Sequence, residues 1–322
     1  MGAERRMLVT GGSGYLGRWV VRLAQARWAV TATYCSHPVD EPGAAWVQLD
    51  IRDAVAVEEL LTRLRPAVVV HTAAVNPGGG GDMEGVNHLG TANVARAAAA
   101  AGARLIHLST DLVFDGRKGR YVEEDEPNPL TPYGHSKALA EAAVRASGAA
   151  ALIVRTSLIY GWRPQLDRQS RWLVEDARAG RPLRLFTDEL RCPIWVESLA
   201  AAVVELVERD DTGALHVAGA QALSRYEFGL RLLRFHGVDP AAVIPALSRE
   251  SGMQRPLDCT LDCSRARTLL ATPLPGVDEA LTAAGLSPRS GGVCDPAAPR
   301  RPAGAGGSQT RQKHPSPLRR GL

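Results

Sequence analysis

Along the first half of the chain, the apolar positions alternate between two periods. Apolar runs of strand length occur at Arg6–Thr10 (RMLVT), Ala29–Tyr34 (AVTATY), Trp46–Asp50 (WVQLD), Ala67–Thr72 (AVVVHT), Arg104–Ser109 (RLIHLS) and Ala151–Arg155 (ALIVR). Between several of these runs the apolar residues return every three or four positions, the spacing of one helix face. That spacing predicts helices over about Tyr15–Ala26, Asp53–Leu64, Met83–Ala101 and Pro132–Ala146, with Gly102 as the stop of the third. Strands alternating with helices predict a parallel sheet with right-handed crossovers, the doubly wound, Rossmann-like α/β class.

After Thr156 the pattern loosens. Helices are expected near Arg168–Ala179, Val196–Glu208, Arg225–His236 and Ser264–Leu270, with short strands near Leu183–Phe186 and Ala214–Val217. These group as a smaller α/β lobe at the carboxyl edge of the sheet, where substrate crevices form in such folds. The expected division is a Rossmann-like domain over 1–156, a substrate lobe over 157–285 that is not strictly contiguous, and a tail over 286–322. The tail is rich in Pro, Gly, Ser and Arg with almost no large apolar residues, and reads as disordered.

Composition sets limits on this picture. Hydrophobic residues make up 45% of 322, enough for a substantial core. No run of about 18 uncharged apolar residues occurs, so no transmembrane helix is expected. The opening MGAERRMLVTGG lacks the apolar centre of a secretory signal, and a cytoplasmic location is expected. Five cysteines, at 35, 192, 259, 263 and 294, form an odd and scattered set. Cys259 and Cys263 have no second pair to complete a zinc site, so free thiols and no metal are expected. The net charge of +4 is uneven, because residues 287–322 hold seven basic and one acidic residue, leaving the remainder near −2. A nucleic-acid partner would rest on the tail alone, and neither nucleic acid nor membrane is expected as a partner of the folded part.

The first candidate chemistry is TGGSGYLG, Thr10–Gly17. Gly11, Gly14 and Gly17 recur every third residue, directly after a strand and before a helix. The first permits a tight turn, the second lets backbone approach a pyrophosphate, and the third allows helix to pack closely on sheet. This predicts dinucleotide binding, with Tyr15 and Leu16 in the same loop. A ribose-reading acid should close the second strand, but Tyr34, Cys35, Ser36 and His37 stand there and no acid precedes Asp40. That disfavours strict NAD preference, so NADPH is expected ahead of NADH. Arg18 could meet a 2′-phosphate or be an ordinary exposed helix arginine. Asp50 could accept from the adenine amino group, with Ile51 beside the ring, or share in capping the next helix with Asp53. Thr72, Ala73 and Ala74 end the fourth strand, where small side chains suit a wall against the cofactor.

The second candidate chemistry is a threonine, a tyrosine and a lysine. Thr110 ends the fifth strand in STDLVFDG, and Tyr133 and Lys137 lie four apart in LTPYGHSK. On a helix those two share a face. The chain has only three lysines, at 118, 137 and 313. In a carbonyl reductase the ammonium of Lys137 would lower the Tyr133 pKa and hold the nicotinamide ribose. Tyr133 would give a proton to the developing alkoxide, and Thr110 would hydrogen-bond the same oxygen. No metal is required.

TGGSGYLG, STDLVFDG, PYGHSKALAE and VRTSLIYG together resemble the extended short-chain dehydrogenase/reductase family. Within it, they more closely resemble the dTDP-4-dehydrorhamnose reductases. The resemblance covers about residues 6–284, including Arg255–Leu270. It implies Thr110, Tyr133 and Lys137 as the catalytic set, NADPH or NADH as cofactor, and a nucleotide-linked 4-keto-6-deoxysugar as substrate. It also implies that Asn87 serves near the site, where a plain helix hydrogen bond is the alternative. Dehydratases of this fold follow the threonine with two acids, whereas here Asp111 is followed by Leu112, which disfavours water loss. The family's DQ-x-G-x-P-T stretch is DELRCPI here, Asp188–Ile194, so Asp188 and Pro193 persist while the glutamine, glycine and threonine do not. Asp111, Arg191 and Trp162 are the candidates for substrate contact, Arg191 toward a phosphate and Trp162 against a base or in the core.

Two other readings stay open. One is a different sugar-nucleotide epimerase or reductase of the extended family. The other is a binding protein, since the regulatory subunit of methionine adenosyltransferase resembles this same group and needs no turnover. Helices 83–101 and 132–146 are surfaces through which relatives often dimerise, so a homodimer is among the arrangements the sequence permits.

Overall fold

The computed structural model describes residues 5–39, 41–78 and 80–286. The tail expected beyond residue 286 therefore lies outside the described residues, as does Asp40. Six strands occupy the predicted positions to within one or two residues: β1 (Arg6–Thr10), β2 (Ala29–Tyr34), β3 (Ala45–Gln48), β4 (Val68–His71), β5 (Arg104–Thr110) and β6 (Ala151–Thr156). A seventh, Gly213–His216, pairs in parallel with β6. The sheet order is Gly213–His216, β6, β5, β4, β1, β2, β3, all parallel. The sequence groups that last strand with the smaller lobe. Instead, Leu215 joins Leu152 and Val154 in one core of the large sheet, and burying it there fixes the strand. The order reverses between β1 and β4, so a crevice opens at the carboxyl ends of those two strands.

The helices are α1 (Tyr15–Ala24), α2 (Ala54–Leu64), α3 (Thr91–Ala100), α4 (Pro132–Ala146), α5 (Arg168–Arg178), α6 (Val196–Val207), α7 (Arg225–Phe235), α8 (Ser264–Leu269) and α9 (Val277–Leu286). The periodicity does not mark α9 in advance. Helices α1 and α6 cover one sheet face, burying Val20, Val21, Leu199, Val203 and Leu206 on Met7, Val9, Val70, Ile106 and Val154. Helices α2, α3 and α4 cover the other, where Leu60, Leu61, Val94, Ala98 and Val144 meet Leu8, Val69, Leu105 and Ile153. Alternate residues of each strand thus feed opposite cores, and each fully buried aliphatic side chain contributes about 1.5–3 kcal/mol.

On the second face this alternation turns polar as the strands approach their carboxyl ends. Val69 gives way to His71, Leu105 to His107 and Ser109, and Ile153 to Arg155, all buried. Above them lies α4. A buried polar layer beneath one helix is costly unless its members bond one another. Here Thr10 and Thr91 hold His71, Glu141 holds Ser109 and Arg155, and Lys137 meets His107, and the layer becomes the floor of the candidate site.

The helix predicted over 83–101 is continuous, but Glu84–Gly90 is wound as a π-helix before α3 begins. Such wide turns gather at functional sites because they re-aim a side chain without ending the helix. Here the re-aimed residue is Asn87. The smaller lobe is built from α5, α7, α9 and the parallel pair Leu183–Phe186 with Val243–Ala246. Its core holds Tyr160, Leu173, Val174, Leu183, Leu185, Phe228, Leu232 and Leu233. Among the described residues, no helix is long and apolar enough to cross a membrane.

Candidate active site

The glycine loop follows β1 and opens α1 as its spacing predicts. Gly11 has φ +70°, a turn that costs a side chain dearly, and a Cβ there would lie 2.5 Å from the backbone of Ala73. The backbone amide of Gly14 donates to the Gly11 carbonyl at 2.9 Å. A Cβ on Gly17 would collide with that same carbonyl, whereas one on Gly14 would meet only the Gly11 oxygen, at 3.1 Å. The fold itself therefore demands Gly17, while Gly14 keeps open a surface that the rest of the chain leaves uncovered. Thr72 ties the end of β4 to this loop, donating to the carbonyls of Thr10 at 2.8 Å and Gly11 at 3.2 Å. Ala73 sits under the loop and Ala74 is exposed beside it. Leu16 is buried in the α1 core, and the Tyr15 hydroxyl donates across to the Gln165 carbonyl at 3.4 Å. These residues form a cradle whose shape fits a dinucleotide pyrophosphate at the α1 amino terminus.

The adenosine end differs from the sequence reading. Tyr34 is half-buried at the end of β2. Asp50 neither caps α2 nor stands free: Asp53 alone caps, accepting from Ala56 at 3.0 Å. Both Asp50 oxygens are gripped by Arg52, the closer contact being 2.6 Å, and this partner holds the carboxyl below its usual range. Ile51 is buried in the core against Gly90 rather than lying open to a ring. Arg18 pairs with Glu41 at 3.4 Å and donates to the Ser13 carbonyl at 3.2 Å, which ties it to the loop side of α1.

The start of α4 explains why threonine and proline precede Tyr133. Thr131 caps the helix, its hydroxyl accepting from Gly134 at 3.0 Å, and Pro132 occupies the first turn, where no amide hydrogen is missed. Gly134 lets the helix approach the Leu112 carbonyl more closely than any side chain would allow. That contact brings the first turn of α4 up to the β5 end, and Tyr133 to Thr110 and Asp111. The Thr110 hydroxyl donates to Asp111 Oδ1 at 3.1 Å and accepts from the Leu112 amide at 3.2 Å. Burial pushes the Tyr133 pKa up to about 12, the Asp111 carboxylate adds to the rise, and the Thr110 hydroxyl opposes it. Asp111 is itself buried and its pKa raised by that burial, against the pull of Arg191, Ser157 and Thr110.

Lys137 lies one turn further along α4 and is 2% exposed. Its ammonium donates to the Leu108 carbonyl at 2.6 Å and stands 3.4 Å from His107 Nε2. Burial drives its pKa down to about 8, with Glu141 pulling the other way. The expectation that Lys137 lowers the Tyr133 pKa does not hold in this arrangement. The ammonium is drawn down onto β5, and burial of Tyr133 dominates.

Four residues on from Lys137 comes Glu141, fully buried. It takes a hydrogen bond from Ser109 at 2.6 Å and a two-pronged grip from Arg155, at 3.0 and 2.8 Å. Burial works to raise the Glu141 pKa, but Arg155, Ser109 and Arg145 outweigh it and hold the carboxyl below its ordinary value. Glu141 and Arg155 are absent from the sequence reading. Their signal was present: Tyr133, Lys137 and Glu141 form one i, i+4 stripe, and Arg155 interrupts an apolar strand.

Asn87 is buried and clamps both backbone groups of Val75, accepting at 2.7 Å and donating at 3.0 Å. It also donates to Ser136 Oγ at 3.0 Å, and that hydroxyl donates to the Tyr133 carbonyl at 2.8 Å. It thus joins the loop after β4 to the first turn of α4, a wider role than a plain helix hydrogen bond.

Of the substrate candidates, only Asp111 stands with the hydroxyl pair. Arg191 is buried, its guanidinium donating to the carbonyls of Leu190, Leu257 and Pro256 and lying 3.7 Å from Asp111. It is a clamp within the lobe rather than a free phosphate ligand. Burial lowers the pKa of the nearby Arg225 to about 10, against the pull of Glu189 and Asp111. Trp162 stacks on Trp195 at 5.3 Å and packs on Phe235 at 4.9 Å, so it belongs to the aromatic core of the lobe.

The sequence family described as the RmlD substrate binding domain matches residues 5–285. The chain belongs to that family. It is therefore one of the RmlD-like proteins, a group of sugar-nucleotide reductases that also includes members without catalytic function. The probable low-salt glycan biosynthesis reductase Agl14 of Haloferax volcanii is 33% identical over 85% of this chain and 95% of its own. Methionine adenosyltransferase 2 subunit beta of Bos taurus is 31% identical over 83% of each. A solved structure described as a hypothetical dTDP-4-dehydrorhamnose reductase of Sulfolobus tokodaii superimposes with a TM-score of 0.75. It is 33% identical over 86% of this chain and 98% of its own. Solved structures at 21–24% identity that hold NADP or NAD share the fold.

Proposed function

We propose that this chain is an NAD(P)H-dependent reductase of a nucleotide-linked 4-keto-6-deoxysugar, with dTDP-4-dehydrorhamnose as substrate. The observation that carries the reading is the Thr110–Tyr133 hydroxyl pair at the carboxyl edge of β5, with the Lys137 ammonium one helical turn away. The cofactor is held by the Gly11–Gly17 loop, Thr72, Ala73 and Lys137, and when bound it supplies the hydride. Tyr133, like any tyrosine, is protonated at neutral pH, and burial keeps it so to still higher pH, so its hydroxyl can donate to the sugar oxygen. Thr110 swings its hydroxyl hydrogen from Asp111 to the same oxygen and orients it. A buried Thr156 hydroxyl, level with Thr110 on the next strand and without a partner among the described residues, adds a polar group to this wall.

The test is incubation with dTDP-4-dehydro-6-deoxy-L-mannose and reduced cofactor deuterated at the transferable position. Deuterium in the recovered deoxysugar supports the reading, and unlabelled keto-sugar contradicts it. The pH dependence follows from Lys137. A lysine in water keeps its charge to above pH 10. Here turnover is expected to fall as the pH rises through about 8, where the buried ammonium is lost. A flat profile to pH 10 would show that the ammonium is not needed.

The loop gives a second check. Gly14→Ala is expected to lower the melting temperature far less than Gly17→Ala, since its Cβ meets only the Gly11 oxygen at 3.1 Å, and to weaken NADPH binding by about tenfold or more. Gly17→Ala is expected to destabilise the fold itself by about 1–3 kcal/mol through overpacking. Calorimetry and fluorescence titration separate the two effects, and equal behaviour would contradict the assignment of Gly14 to the cofactor.

A second reading has a specific basis. The 31% identity to the methionine adenosyltransferase subunit runs over 83% of both chains, and Arg191 is not free for a phosphate. On that reading the chain binds the dinucleotide, assists a partner enzyme and reduces no sugar. The deuterium experiment distinguishes the two.

A further inference from the structure

Beneath Lys137 lies a pair of histidines that the reductase reading leaves unused. His71 of β4 and His107 of β5 are stacked with ring centres 5.3 Å apart, and both are buried. His71 is fixed from two sides, Nδ1 lying 2.6 Å from the Thr10 hydroxyl and Nε2 2.9 Å from the Thr91 hydroxyl. His107 has one contact of this kind, its Nε2 at 3.4 Å from the Lys137 ammonium. Its Nδ1 is buried with no partner among the described residues. A buried ring nitrogen left unpaired is costly, and calls for a reason.

We propose that His107 is a positioning residue for Lys137: its neutral imidazole accepts one ammonium hydrogen at Nε2 and, together with the Leu108 carbonyl, fixes where the remaining N–H points. This rests on the reading of Lys137 as a cofactor and catalytic contact. An ammonium carries three donors in tetrahedral array. Leu108 and His107, adjacent on one strand, take two of them, so the third is directed away from the strand. With the carbonyl alone, the ammonium could turn about that single bond. The role also explains the unpaired nitrogen. For Nε2 to accept, the ring proton must sit on Nδ1, where nothing receives it.

The surroundings keep His107 in the accepting form. Burial, then the charge of Lys137, the His71 ring and Arg145, hold its pKa well below the ordinary value. On α4, Glu141 faces Lys137 from the next turn but is occupied by Arg155 and Ser109. Tyr133 lies on the turn before, uncharged at neutral pH. Among these side chains, His107 is the one whose acceptor stands within hydrogen-bond distance of the ammonium.

The test compares His107→Phe, which keeps a ring but no acceptor, with His107→Gln, whose carbonyl can reach the Nε2 position. Affinity for NADPH is measured by fluorescence titration across pH 6–10, and kcat/KM for the keto-sugar over the same range. In the Phe variant both should fall about tenfold at neutral pH, and the basic limb should move about one unit lower. The Gln variant should return the limb toward its wild-type position. If Phe does not fold by circular dichroism, His107→Asn, with an amide too short to reach Nζ, takes its place. A folded Phe or Asn variant with an unmoved limb overturns the proposal, as does a Gln variant no better than Phe. The NADPH titration needs no turnover, so the two readings fail separately. A shifted limb without any keto-sugar reduction keeps the role of His107 and removes the reductase. Reduction with an unmoved limb does the reverse.

Discussion

Replacing Tyr133 by Phe is expected to reduce turnover by about 10²- to 10⁴-fold while leaving NADPH affinity and melting temperature close to those of the wild type. The ring remains to fill its place between Thr110 and the first turn of α4. The lost hydroxyl is the proton donor of the proposed step, protonated at neutral pH, with a pKa that burial raises to about 12. Thr110 cannot replace it: its one hydroxyl hydrogen is already used to orient the sugar oxygen, and its own oxygen accepts from the Leu112 amide. Steady-state kinetics with separate cofactor titration provide the check. A fall in kcat with unchanged KM fits a group that acts in the transition state. Near-normal turnover would remove Tyr133 from the chemistry.

Replacing Glu141 by Ala is expected to cost about 3–5 kcal/mol of stability, the usual result of leaving one member of a buried ion pair alone. Glu141 and Arg155 are 0% and 1% exposed at their side chains, so solvent cannot take over the lost partner. Ser109 loses its acceptor as well. Urea denaturation measures the loss, and a change under about 1 kcal/mol would mean that Arg155 finds another anion. The double change Glu141→Leu with Arg155→Leu should recover much of the loss, because it removes both charges together. The sign of the pH dependence follows from the lowered Glu141 pKa. The pair's contribution is complete above the ordinary carboxyl value of 4.5 and is lost as the pH falls through the lower folded value.

Where one physical rule dominated, the sequence was legible. The strands β1, β2, β4, β5 and β6 were readable because apolar runs buried on both faces leave no other place to go, whereas β3, a half-exposed edge strand, was readable from its apolar run alone. The glycine loop was readable because Gly17 has no alternative beside the Gly11 carbonyl. The pairing of Tyr133 with Lys137 was readable because helical spacing alone puts them on one face. What was not legible depended on contacts distant in sequence. Gly213–His216 is a short strand whose membership of the large sheet is decided by Leu215 meeting the β6 core. The π-wound turn at Glu84–Gly90 lies inside one continuous helical stretch, and what marks it is Asn87 reaching Val75 and Ser136. Arg191 reads as a candidate for a substrate phosphate until three carbonyls are seen to surround it. Asp50 reads as a ligand or a cap, but Arg52, two residues on, takes both of its oxygens.

The polar layer under α4 is the most informative of these gaps. His71, His107, Ser109 and Arg155 each stand in an apolar strand at the position where the pattern calls for another aliphatic residue. A local break of this kind is expected where function competes with packing. All four occupy the same sheet face, at the same end, beneath the helix that carries Tyr133 and Lys137.

The most direct measurement is the loss of reduced-nicotinamide absorbance when the purified protein meets NADPH, then NADH, with dTDP-4-dehydro-6-deoxy-L-mannose. The expected result is a loss that depends on the sugar nucleotide, saturates with it and disappears in Tyr133→Phe. A stable absorbance in the presence of both, with cofactor binding still detected by fluorescence, would contradict the assignment of Thr110, Tyr133 and Lys137 to the reduction of this sugar.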